Sequence, residues 1–143
     1  MSRKGRKNWN NLEISKRIAK QLVLHRLWSE WPQRELAKDI NATFQQYQKL
    51  EKCINRIFAE QLISICKNRG WDSSVILQGN PEDTIREWIK EFNVDALPHK
   101  YYKVINQWEM IDKSAEKNYY RGKEIEWMEL LILFDLLLIV LLL

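Results

Sequence analysis

The sequence predicts an all-α chain, and three observations carry that prediction. Only four glycines and three prolines occur among 143 residues, too few for the closely spaced turns of an all-β fold. Helix-forming residues fill most of the remainder. Apolar residues recur every three or four positions through several stretches, the spacing of one helical face. At 45% hydrophobic the chain can also bury a core, which argues against wholesale disorder.

Residues 1–11 carry four positive charges and no acid, and read as a disordered basic arm able to touch phosphates or stay solvated. No apolar run follows Arg3-Lys4-Gly5-Arg6-Lys7, so this is no secretory signal. Over 12–29, Ile14, Ile18 and Leu22 fall on one face of a helix, and Arg26 continues it. A charge that ends an apolar stripe needs a partner or an exit to water. Pro32 breaks this helix and starts the next, residues 33–39. Asn41 marks a corner, because asparagine tolerates the left-handed backbone of a helix end. Thr43 can cap a third helix over 44–52 by accepting a backbone N–H. In that helix Tyr47 and Leu50 are spaced to face inward, leaving Gln45, Gln46, Gln48 and Lys49 outside.

A fourth helix is expected over 59–68, with Leu62, Ile63, Ile65 and Cys66 available to the core and Gly70 as C-cap. A short fifth follows over 73–77. Gly79-Asn80-Pro81-Glu82-Asp83 is a break and then a helix start, with Asn80 as cap and acids in the first turn. Beyond it, Ile85, Trp88, Ile89 and Phe92 mark one amphipathic helix, Ala96-Leu97-Pro98 a second break, and Val104, Ile105, Trp108, Ile111 and Ala115 another helix. The expected organisation is therefore an arm (1–11), a helical domain (12–78), an acidic helical extension (79–129) and an apolar C-terminal helix (130–143).

That last helix has Asp135 as its one polar residue. Fourteen residues at about 1.5 Å each span roughly 21 Å, short of a hydrocarbon core of about 30 Å. A helix buried or packed on a partner is the leading reading. A membrane-touching tail and a non-native end, from a shifted frame or truncated gene, are the alternatives.

Charge is unevenly shared. Residues 1–70 hold 15 Lys/Arg against 6 Asp/Glu, and residues 71–143 hold 8 against 13. Only the first half suits a polyanion. Cys53 and Cys66 form no CxxC pair and His25 and His99 lie far apart, so a zinc site is not expected and the thiols read as reduced and partly buried. There is no nucleophile–base set and no glycine-rich phosphate loop. Glu87, Glu91 and Asp95 read as a solvated acidic face. Neither enzymatic activity nor a cofactor is expected.

Two short helices joined by a corner, the second bearing amides and a lysine, form the layout of a DNA-reading helix-turn-helix. Glutamine pairs bidentately with adenine in the major groove, lysine reaches guanine or phosphate, and Phe44 can meet a thymine methyl. Residues 14–77 resemble the phage-repressor and Cro type of domain, also called XRE-like or lambda-repressor-like. The matching positions are Arg26, Gln33, Leu36-Ala37, Ile40, Thr43, Tyr47, Glu51, Asn55-Arg56-Ile57, Leu62 and Ile65. The resemblance implies a five-helix domain whose third helix enters the major groove of double-stranded DNA. It implies a sequence-specific transcriptional regulator of prophage or bacterial type, often a homodimer, working in the cytoplasm at the nucleoid. By position, Phe44, Gln45, Gln48 and Lys49 would face bases. Gln33, Gln46, Asn55 and Arg56 would face phosphates, and Arg26 would pair with Glu51 beneath the reading helix. Asn41 and Cys53 stand where the family commonly has glycine, and Phe58 and Pro32 where it commonly has a capping side chain. A rival reading is a helical protein-interaction or antitoxin-like module that oligomerises through its C-terminal helices.

Overall fold

The computed structural model describes residues 9–91, 97–120 and 124–143. Its elements are helices α1 (Trp9–Trp28), α2 (Gln33–Asp39), α3 (Phe44–Glu51), α4 (Ala59–Arg69), α5 (Ser73–Gln78), α6 (Pro81–Lys90), α7 (Leu97–Tyr120) and α8 (Glu124–Leu142). Among the described residues the architecture is all-helical, without strands.

α1 is the spine, because its apolar residues point in two directions. On one side Leu22 joins Leu36, Tyr47, Leu50, Leu62, Ile65 and Ile76 in a core shared by α1 to α5. On the other, Leu12, Ala19, Val23 and Leu24 pack with Ile85, Val104, Trp108, Ile111 and Ala115 of α6 and α7. α7 runs along α1 more extensively than any other pair of helices packs. Two lysines of α1 reinforce that seam. Lys20 Nζ lies 3.0 Å from Asp112 Oδ1, and Lys16 lies 3.4 Å from the same oxygen and 3.8 Å from Glu116. The Trp108 indole N–H donates to the Lys20 carbonyl at 3.0 Å. α6 and α7, within the expected extension of residues 79–129, thus meet the same helix that supports α2 to α5.

Four helices end in the same way, each on a residue with a left-handed backbone. Glu30 (φ 60°) follows α1, Asn41 (φ 51°) follows α2, Cys53 (φ 59°) follows α3 and Gly70 (φ 71°) follows α4. The hydrogen bonds of the first three ends are those of a Schellman motif. Trp31 N–H donates to Arg26 O and Glu30 N–H to Leu27 O; Ala42 to Ala37 and Asn41 to Lys38; Ile54 to Lys49 and Cys53 to Leu50. The Asn41 and Gly70 corners agree with expectation, whereas Glu30 carries no sequence signal for one. Thr43 caps α3 with a reciprocal bond from Gln46, and Asn80 caps α6. Pro32 and Phe58 give their helices no side-chain cap; instead the Gln61 carboxamide accepts the Phe58 N–H at 2.9 Å.

Several expectations need correction. α1 begins at Trp9, so residues 9–11 of the expected arm are helical, while residues 1–8, Phe92 and Ala96 lie outside the described residues. Ile14 and Ile63, assigned to inward faces, are exposed. Ile63 sits one position off the buried Leu62, and Ile14 continues the Ile18–Leu22 face a turn further towards the start of α1, where it is left uncovered; the period alone does not fix the width or length of a covered stripe. The C-terminal helix starts at Glu124 rather than at residue 130. Residues 131–143 are not buried: every large apolar side chain there is exposed. Among the described residues no helix is long and apolar enough to cross a membrane.

Candidate nucleic-acid interface

α3 is eight residues long and divides cleanly by face. Tyr47, Leu50 and Glu51 are buried. Gln45, Gln46 and Lys49 are exposed, and Phe44 and Gln48 are half-buried at the edge. Phe44, Gln45, Gln48 and Lys49 occupy positions i, i+1, i+4 and i+5, so they share one outward face. Asn55 and Arg56 are exposed in the turn that follows α3.

A buried polar network holds this helix against α1 and α2. Glu51 is 2% exposed and Arg26 7%. Both guanidinium contacts are made: Arg26 Nε donates to Glu51 Oε1, and Nη2 to Oε2 at 3.0 Å. Nη1 donates to the Trp31 carbonyl at 3.1 Å. Arg26, expected to need a partner at the end of an apolar stripe, therefore has two. Glu51 accepts twice more, from the Tyr47 hydroxyl at 2.7 Å and from Gln33 Nε2 at 2.7 Å. Burial first, then the Glu51 carboxylate, push the Tyr47 phenol well above its ordinary range, so it stays a donor. Bidentate arginine–carboxylate pairs fix orientation as well as distance. The chain of contacts thus sets how α3 is presented.

Gln33 is engaged within the protein. Its amide N–H is spent on Glu51, and its oxygen accepts from Gln48 Nε2 at 3.3 Å. Gln33 thus bridges two α3 residues rather than pointing wholly outward. Gln46 is also engaged: its oxygen accepts the Thr43 N–H at 2.9 Å, while its own N–H donates to Thr43 Oγ1 at 3.1 Å. Its terminal NH₂ remains outward.

Sequence reasoning missed two supports of this surface. Arg34 of α2 lies over the Phe44 ring, 5.5 Å from its centroid, which adds a cation beside the first outward residue of α3. Its signal was a lone arginine beside Gln33, invisible until α2 and α3 are docked. Arg69 of α4 grips Asp39 of α2 with two bonds, 2.8 Å from Nε and 2.7 Å from Nη2, and stacks on Trp31 at 4.4 Å. These groups are far apart in sequence, and no spacing rule links them. No protein-family model, curated protein or solved structure matches this chain.

Proposed function

We propose that the chain is a sequence-specific DNA-binding transcriptional regulator whose α3 enters the major groove. In this reading residues 12–78 form the five-helix, lambda-repressor-like domain that the sequence resembles. Phe44, Gln45, Gln48 and Lys49 read base edges, and Gln33, Gln46, Asn55 and Arg56 meet phosphates. The observation that supports it best is the fixed presentation of α3. The buried Arg26–Glu51 pair, braced by Tyr47 and Gln33, holds a helix whose outer face is two amides, a lysine and an aromatic ring. Such a face suits adenine and guanine edges, and rigid support is what direct readout needs. The basic balance of residues 1–70 supplies attraction to phosphate. Regulation then follows from occluding or recruiting at a promoter near the nucleoid, commonly as a homodimer on a palindrome, without a cofactor and without chemistry of the protein's own.

The test is selection of bound sequences from random duplex DNA with the full chain and with Gln45→Ala. The intact protein should enrich one palindromic site and the variant should lose it. Equal, weak retention of every sequence by the intact protein would overturn specific reading.

One observation favours a second reading, an interaction module or antitoxin-like protein. Residues 131–143 present a continuous apolar surface to solvent, a surface that soluble monomers seldom leave uncovered. Light scattering after size exclusion, with and without residues 130–143, tests it. Oligomers that vanish on truncation support the reading, and an unchanged mass defeats it.

A further inference from the structure

Away from α3, the C-terminal end of α1, the α4–α5 turn and α6 enclose an open cavity of about 540 Å³. Its wall is a row of aromatic rings. The His25 ring meets Trp71 at 5.5 Å and Trp88 at 4.7 Å, and Trp88 in turn meets Trp28 at 5.9 Å. Three carboxylates, from Asp72, Glu87 and Glu91, stand on the lining, and among the described residues no lysine or arginine does. Indole faces attract cations through their quadrupole, and the attraction grows when the site is partly desolvated. Trp28 already illustrates the preference within the chain, with Lys100 Nζ 5.8 Å from its ring centroid.

His25 adds direction. It is 4% exposed, and its Nδ1 lies 2.7 Å from the Gln21 carbonyl. A carbonyl only accepts, so Nδ1 carries the proton and donates, and Nε2 is left as an acceptor. Nε2 makes no hydrogen bond among the described residues. The cavity thus combines an imidazole on its lining, whose ring acceptor is left over, with aromatic walls and negative charge.

We propose that this cavity binds an organic cation that carries N–H donors, an alkylammonium or alkylguanidinium group. The N–H donates to His25 Nε2, the charge rests against the Trp71 and Trp88 rings, and Asp72, Glu87 and Glu91 offset it. The group can belong to a free amine or to a lysine or arginine side chain of another protein. None of the lining residues comes from α3, so the inference does not depend on DNA reading.

The experiment is titration of the full chain followed by the indole N–H resonances of Trp71 and Trp88. The probes are agmatine, lysine blocked at both ends, tetramethylammonium and butyrate. Agmatine should shift both resonances saturably, and butyrate should shift neither. Glu87→Gln with Glu91→Gln, two exposed changes that leave the fold intact, should weaken agmatine by about tenfold. His25→Phe keeps a ring but removes Nε2, and should bring agmatine down to the level of tetramethylammonium. Saturation by agmatine alone assigns a free amine, and saturation by the blocked lysine as well assigns a side chain. No saturable shift with either N–H cation up to about 10 mM, or tetramethylammonium binding as well as agmatine, would overturn the proposal.

Discussion

Arg26 and Glu51, on different helices and twenty-five positions apart, meet through two parallel hydrogen bonds inside the protein, with Tyr47 and Gln33 completing the carboxylate's shell. Removing one partner strands the other away from water, and a stranded buried charge costs about 3–5 kcal/mol. Arg26→Ala should therefore lower the unfolding free energy by that amount in urea titrations. Arg26→Met combined with Glu51→Leu should recover a large part of it, since an apolar pair leaves no buried charge. A double variant as unstable as the single one would show that Tyr47 and Gln33 depend on the carboxylate more than the pair itself does.

Gln21 invites the opposite experiment. It is wholly buried, and its Nε2 donates to Thr84 Oγ1 at 2.9 Å, yet its Oε1 has no partner among the described residues. Thr84 keeps a second bond, from its hydroxyl to the Asn80 carbonyl at 3.1 Å. Gln21→Met deletes an unsatisfied acceptor while leaving Thr84 paired. The loss should stay below about 1 kcal/mol, far less than an ordinary buried glutamine would cost. Thermal melts of the variant and the parent decide it.

Glu30 holds a left-handed backbone with a side chain that is 76% exposed and a distant ion pair, 3.7 Å to Lys100. Left-handed geometry costs a residue with a Cβ about 1 kcal/mol or more, whereas an exposed ion pair contributes little. Glu30→Gly should raise stability by about 0.5 kcal/mol, after allowing for the extra freedom of glycine in the unfolded chain. A lower melting temperature would mean that the Lys100 contact outweighs the strain.

Stability should also fall on mild acidification. Burial lowers the His25 imidazole below its ordinary 6.5, against opposing pulls from the Gln21 carbonyl and Asp72. The unfolded chain then takes up a proton near pH 6.5 that the folded chain still refuses. Stability is thus complete above about pH 6.5 and declines as pH drops below it. Asp72 acts in a separate, lower window: its bonds from Ser74 hold its carboxyl below 3.8, so its contribution is lost only nearer pH 4 and under. Melts at about pH 7.5 and about pH 5 should differ for the parent and differ less for His25→Gln.

Under the proposed DNA reading, Lys49→Ala should leave stability within about 0.5 kcal/mol, because the side chain is exposed. It should also weaken binding and flatten the salt dependence by about one unit of slope if Lys49 neutralises a phosphate. An unchanged slope with altered sequence preference would instead place the lysine on a base.

Much of this architecture is legible in the sequence, and the legible parts share a cause. Pro32, Asn41, Thr43, Gly70 and Asn80 act within a few residues of themselves, and each sits at the helix end where its local chemistry puts it. The outward and inward faces of α3 follow from helical period alone. The Arg26–Glu51 pair came only from resemblance, since nothing in the spacing joins positions so far apart. What escaped depends on docking: Arg34 over Phe44, Arg69 on Asp39, the lysine seam to Asp112 and the ring row around His25. Ile14 and Ile63 failed for a related reason. Period names a face, but only the neighbouring helices decide how much of it is covered.

The two-sided packing of α1 has a consequence for motion. Because Leu22 and Arg26 face α2 to α5 while Val23, Ala19 and Lys20 face α6 and α7, α1 cannot slide or roll to suit one side without disturbing the other. One helix therefore carries both the guanidinium that grips α3 through Glu51 and the lysine that grips α7 through Asp112, six positions apart.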